Sequence, residues 1–175
     1  MPTPSIACIG VIGKHDNPLH IALFPPHSSA PGAHLEFSFL LNSTLDIFDL
    51  RTRQNSNTSV DQDLGLLQAV DERLSCWGWE TGTGIRMCIV VDMFGKDGIA
   101  DGQVMGLRDG ELKPAFRALQ TAYIHLLRNP FYMPDEHNPI TVANGRGKGG
   151  EITSRRFIAE VKRIGETWAP GVTKL

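Results

Sequence analysis

The amino-acid sequence predicts a three-layered α/β domain, a sheet covered by helices on both faces, and two observations carry that prediction. The segments Ser5 to Ile12 and Ile85 to Val91 are apolar almost throughout. Neither shows the alternation of a half-solvated strand, so both are expected in the sheet interior, where each face needs its own cover. Three helical segments are available to supply it. The 175 residues, 41% apolar and 21% charged, suit one soluble globular domain, and residues 1–175 are read as a single unit.

The elements follow in order. After the first apolar strand, Asn17-Pro18 marks a turn, and Leu19 to Phe24 reads as a flanking strand. A helix from about Leu35 to Leu50 comes next, and it carries two apolar stripes. Phe37, Leu41, Thr44 and Phe48 share the stripe that faces the sheet. Opposite them, Phe39, Asp46 and Leu50 share the outward face, so two large apolar side chains flank an acid directed at solvent. Two flanking strands, Leu64 to Val70 and Leu74 to Glu80, precede the second apolar strand. Trp77 and Trp79, two apart on one of them, share a face and read as the covered side of the sheet rather than a ligand-stacking platform.

The last two helices are plainly amphipathic. In the first of these, Leu112, Phe116, Leu119, Tyr123 and Leu126 recur at helical spacing; Asp109 is the expected cap and Asn129-Pro130 the stop. Asn129 suits a left-handed cap, and Phe131 and Tyr132 are expected to pack back over the helix end. Phe157, Val161, Ile164 and Trp168 repeat the pattern, capped by Thr153 or Ser154 and ended by Pro170. Pro25 to Gly32, Gln54 to Gln62, Gly95 to Gly110 and Asn144 to Gly150 read as loops.

Charge and composition exclude several classes. A net charge of −2 and a pI near 6.3 lack the basic excess that drives nucleic-acid binding. Cys8, Cys76 and Cys88 are odd in number, without paired spacing, and each sits in an apolar run. They read as buried thiols in a reducing compartment. The sequence shows no secretory leader, membrane span or lipid-anchor motif, so direct membrane insertion is not expected.

Motifs for chemistry are weak. The run Gly145 to Gly150 before a helix invites a phosphate-cradle reading near Lys148, and a small-ligand or phosphate-binding enzyme using that loop is the alternative function. Lys148 is followed by Gly149, however, and the run lies between helices rather than after a buried strand. Asp92, Asp97, Asp101 and Asp109 lack the alternate spacing of a calcium loop and read as solvated loop acids. The six histidines form no metal-ligand pair, and no nucleophile elbow is present. No cofactor, metal or catalytic residue is expected.

Several stretches together resemble the sedlin-related subunits of the transport protein particle (TRAPP) complex, most closely the subunit 2-like branch. They are STLDIFD at Ser43 to Asp49, LGLL at Leu64 to Leu67, IVVD at Ile89 to Asp92, LRDGEL at Leu107 to Leu112 with FRAL and NPFY behind it, and SRRF at Ser154 to Phe157. GKHDNPL at Gly13 to Leu19 is similar to the first hairpin of sedlin itself. The resemblance implies the longin fold, an antiparallel five-stranded sheet with one helix on one face and two on the other. It also implies a non-catalytic cytosolic subunit, peripheral at Golgi and endoplasmic reticulum membranes, in a vesicle tether for traffic between and within them. Its partners would be other TRAPP subunits and, through the assembled exchange factor, indirectly a Rab-type GTPase. Asp46 matches the aspartate of the family's S-L-D motif, a position used to contact a neighbouring subunit; its other reading is an ordinary solvated helix acid. Asp46, Phe39, Leu50, Asn42 and Asp49 form the expected partner-binding set, next to the nearby sheet edge. Pro25 to Gly32, Gly95 to Gly106 and Met133 to Glu151 are longer than the family's loops.

Overall fold

The computed structural model describes residues 3–55, 62–95, 106–147 and 149–175. Asp97, Asp101 and Lys148, with most of the loops at 54–62 and 95–110, lie outside the described residues. Five strands, β1 (Ser5–Ile12), β2 (Pro18–Leu23), β3 (Asp63–Ala69), β4 (Leu74–Glu80) and β5 (Arg86–Asp92), form one open antiparallel sheet in the order β2-β1-β5-β4-β3. The two apolar strands pair with each other inside the sheet, and β1 is buried along its whole length. Two-sided burial is why the sequence shows no alternation there.

Alternation in space sorts these strands into two cores. Ile6, Ile9 and Val11 of β1, Trp77 and Trp79 of β4, and Met87, Ile89 and Val91 of β5 face one layer. Ala7, Cys8, Cys76, Cys88 and Val90 face the other. A shift in the β1–β5 register between Ile6 and Cys8 adds one residue to β1, so Ala7 and Cys8 both turn to the second layer before alternation resumes.

Helices cover both faces, giving the α+β arrangement of a longin-like fold. Over the second core lie α1 (Ala33–Ser43) and α2 (Leu45–Asn55). Over the first lie α3 (Lys113–Leu127) and α5 (Arg155–Thr167), with the short α4 (Pro139–Ala143) between them in sequence. Trp79 stacks on Phe116 at a centroid distance of 5.6 Å, so the tryptophans pack as expected. Gly165 of α5 sits directly on the Phe24 ring, in a space that a Cβ would fill. Phe24 thereby joins the end of β2 to the last helix. The Trp168 indole donates to the Glu111 carbonyl at 3.3 Å, joining the end of α5 to the start of α3, so these helices run antiparallel.

Four local expectations are corrected. The helix expected from Leu35 to Leu50 is broken at Thr44. The Ser43 hydroxyl donates to the Leu40 carbonyl at 2.7 Å and the Thr44 hydroxyl to Leu41 at 2.6 Å. The Thr44 amide donates to the Leu41 carbonyl at 3.2 Å, a tightened turn. Two consecutive back-bonds of this kind compete with the helical ladder and end the first rod. Second, Asp109 does not cap α3; Leu112 holds that position and Pro114 lies in the first turn. Third, Asn129 is not left-handed. Its side-chain oxygen accepts from the Phe131 amide at 3.1 Å, an Asx turn that leaves Phe131 90% exposed. Only Tyr132 packs back onto the core. Fourth, the stretch Met133 to Glu151 contains a 3₁₀ turn (Pro134–His137) and α4. Asn138, whose side chain accepts from the Ile140 amide, caps α4.

Candidate functional site

The α1–α2 unit presents both stripes that the sequence predicts. Phe37, Leu41, Thr44 and Phe48 are buried against the sheet. Gly32, at φ 81°, turns the chain into α1 in the left-handed region, where a side chain would be strained. On the outer side Phe39 is 66% exposed and Leu50 57%. Asn42, Asp46 and Asp49 are exposed with them. Leu35 on α1 and Leu66 and Val70 at the edge strand are exposed apolar residues that the sequence reading did not select. Their strand or helix pattern alone does not show them, because exposure of Leu66 follows from two register shifts in β3.

The break at Thr44 changes the setting of Asp46. It stands in the first turn of α2, where an acid is favoured by the unpaired amides of the helix start. No hydrogen bond or ion pair holds its carboxylate among the described residues. Asp49 differs: it pairs with Arg86 of β5. The same guanidinium reaches Asp16 at 2.7 Å, lies 3.8 Å from Glu80 and covers the Phe48 ring at 5.5 Å. Arg86 therefore clamps α2 to the sheet and to the β1–β2 turn. Of the expected set, Phe39, Asn42, Asp46 and Leu50 lie open, while Asp49 is engaged within the chain.

Asp92 is not the solvated loop acid that the sequence predicts. Its side chain is fully buried at the end of β5. Arg73 Nε and Nη2 donate to it at 2.7–3.0 Å, His27 Nε2 lies 2.8 Å away, and the Phe94 amide donates at 3.0 Å. Burial alone pushes this carboxyl upward; the Arg73 and His27 hydrogen bonds, the Phe94 amide and the Arg73 charge outweigh it, and its pKa lies below the ordinary value. His27 also meets the Phe37 ring edge-on at 5.4 Å. The network thus fixes the turn that feeds α1 onto the sheet.

The three cysteines gather beneath the break. All three are buried in the second core, and the Thr44 hydroxyl lies 3.7 Å from Cys88 Sγ. Burial pushes the Cys8 thiol far up, and the Cys88 contact followed by burial does the same for Cys76. These are inert thiols, as expected. In the glycine-rich loop, the amides of Gly145, Gly147 and Gly149 donate to the carbonyls of Val142, Thr141 and Glu136. Those amides are spent inside the chain and do not point at a ligand.

A family model described as Sedlin matches residues 11–167. The chain belongs to the sedlin family. Among curated proteins of that kind, trafficking protein particle complex subunit 2-like protein of Dictyostelium discoideum is 28% identical over 159 residues, 91% of this chain and 95% of its own length. Its namesake in Mus musculus is 30% identical over 132 residues, 74% of this chain and 84% of its own. The Bos taurus protein of the same name is 29% identical over 150 residues, 84% and 94% of the two chains. The sedlin match spans the whole α1–α2 unit, every strand from β2 to β5, and both helices of the opposite face. No helix among the described residues is long and apolar enough to cross a membrane.

Proposed function

We propose that this chain is a non-catalytic subunit of a trafficking protein particle complex and docks a sister subunit through the outer face of α1 and α2. The observation that carries the reading is the pairing of Phe39 and Leu50, both more than half exposed, with the acid Asp46 beside them, which no hydrogen bond or ion pair engages among the described residues. An apolar contact area with one central charge is the composition of a specific interface core. The names of the relatives supply the kind of partner. Exchange activity on a Rab-type GTPase belongs to the assembly, which the chain supports in traffic between endoplasmic reticulum and Golgi and within the Golgi. The chain itself is peripheral to those membranes. Asp92 and the loop glycines, the two features that invited a chemical reading, are both used for structure, which favours the non-catalytic role.

The test is recovery of sister subunits on a tagged chain, identified by mass spectrometry. Asp46→Tyr and Phe39→Ser are each expected to fold and to lose those subunits. Two variants are needed because Asp46→Tyr also removes a favourable charge at a helix start, about 0.3–1 kcal/mol. Phe39→Ser leaves that helix end untouched. Unchanged recovery by both removes the proposal, and thermal stabilisation by nucleotides or divalent metals would restore the enzyme reading.

A further inference from the structure

On the opposite side of the sheet from that face, α3, α5 and the C-terminal residues Thr173, Lys174 and Leu175 line a cleft of about 870 Å³. Its α3 wall is the stripe Arg117, Thr121, His125 and Arg128; Arg156 and Glu160 of α5 face it, and Lys174 stands at one end. Four permanently charged basic side chains thus line the cleft against one acidic side chain, Glu160, and the terminal carboxylate of Leu175, and Glu160 is already held by Arg163 at 2.6 Å. None of Arg117, Arg128 and Lys174 has an ion-pair partner among the described residues, while Arg156 shares the charge of Glu160 with Arg163. In a chain whose net charge is −2, this is a local excess of the opposite sign. Between the cations the floor is apolar, made by Ala118, Ala122, Leu126 and Phe157.

We infer that this cleft takes an acidic, extended segment of a partner protein, with acids on the arginines and interspersed apolar side chains on the floor. Length decides against a small anion. Arg117 and Arg128 are eleven positions apart on one helix, roughly 16 Å, which no single phosphate spans but about five residues of extended chain do. Shape decides against a bilayer, since a flat surface cannot enter the space between two helices. Charge complementarity then sets the sign of the partner and makes its capture dependent on salt.

The experiment uses the full chain and three labelled octapeptides in fluorescence polarisation: EDLEDLED, its neutral counterpart QNLQNLQN and the basic KRLKRLKR. Only the acidic peptide is expected to bind, more weakly as salt is raised. Arg117→Glu with Arg156→Glu should weaken it by about tenfold or more, while Lys14→Glu with Lys162→Glu, the same charge change outside the cleft, leaves it within about twofold. Should the paired glutamates fail to fold, Arg117→Gln with Arg156→Gln serves the same comparison. Equal loss in both pairs, no binding of the acidic peptide, or arginine-dependent co-sedimentation only with vesicles of equal phosphatidylserine and phosphatidylcholine would each overturn the inference. Asp46→Tyr is expected to bind the peptide normally, so failure here and failure of the α1–α2 interface are separable.

Discussion

Arg73→Met isolates the buried carboxylate that anchors the approach to α1. Asp92 is fully buried and Arg73 31% exposed, so the two partners differ in what they lose when parted. Removing Arg73 strands a buried charge with only His27 and the Phe94 amide beside it; uncompensated burial of this kind costs about 3–5 kcal/mol. Asp92→Asn leaves a guanidinium that can reach water, and its cost is closer to that of charged hydrogen bonds, about 1.5–3 kcal/mol. At roughly 2–4 °C per kcal/mol for a chain of this size, Arg73→Met should lower Tm by about 10 °C and Asp92→Asn by about half as much. Arg73→Met with Asp92→Leu should recover most of the loss. The pH dependence has a definite sign. Because the folded carboxyl titrates below its unfolded value, its contribution is complete above about pH 4, declines as pH falls through the depressed folded value, and vanishes below it. Urea unfolding at a series of pH values measures this directly. The gap between the native chain and Asp92→Asn should close in acid, with unchanged m-values. An Arg73→Met penalty below about 1 kcal/mol, or a gap that persists at the lowest pH, would refute the reasoning.

Other perturbations reach other parts of the fold. Gly165→Ala pushes a methyl into the Phe24 ring and should cost about 1–3 kcal/mol in urea unfolding, although alanine is the better helix former. Phe48, fully buried beneath Arg86, should cost about 3–5 kcal/mol when replaced by alanine. His20 is buried with neither ring nitrogen hydrogen-bonded among the described residues, and burial lowers its pKa against the opposing pull of Glu151. Its unfolded form therefore binds a proton first. The native chain should lose stability as pH falls from about 6.5 towards that lower value, and His20→Phe should flatten this limb of the urea profile. A thiol reagent should label Cys8, Cys76 and Cys88 only as fast as the chain opens; rapid labelling of the native state would contradict their burial.

What the sequence disclosed and what it hid have different physical origins. Strands buried on both faces and helices with one apolar stripe are local patterns, and they place β1, β5, α3 and α5 directly. The outward position of Phe39 and Leu50 survives the break at Thr44 because both short helices keep their phase against the sheet. The break itself was invisible, since Thr44 fits the buried stripe and only its hydroxyl geometry ends the rod. Asp92 was misread because its partners lie 19 and 65 residues away, while the nearby acids suggested a loop. The arginine stripe of α3 is visible in sequence, but a cleft exists only once α5 returns antiparallel beside it.

The junction at Thr44 rests on Cys88 from below and sets the angle between the two rods above. A substitution at either buried position would tilt Leu50 relative to Phe39 without altering any atom a visiting protein could touch. If the outer face is the docking surface proposed above, assembly defects at this hidden pivot would mimic lesions of that face, and a genetic screen would tell the two kinds of allele apart only by whether stability falls along with assembly.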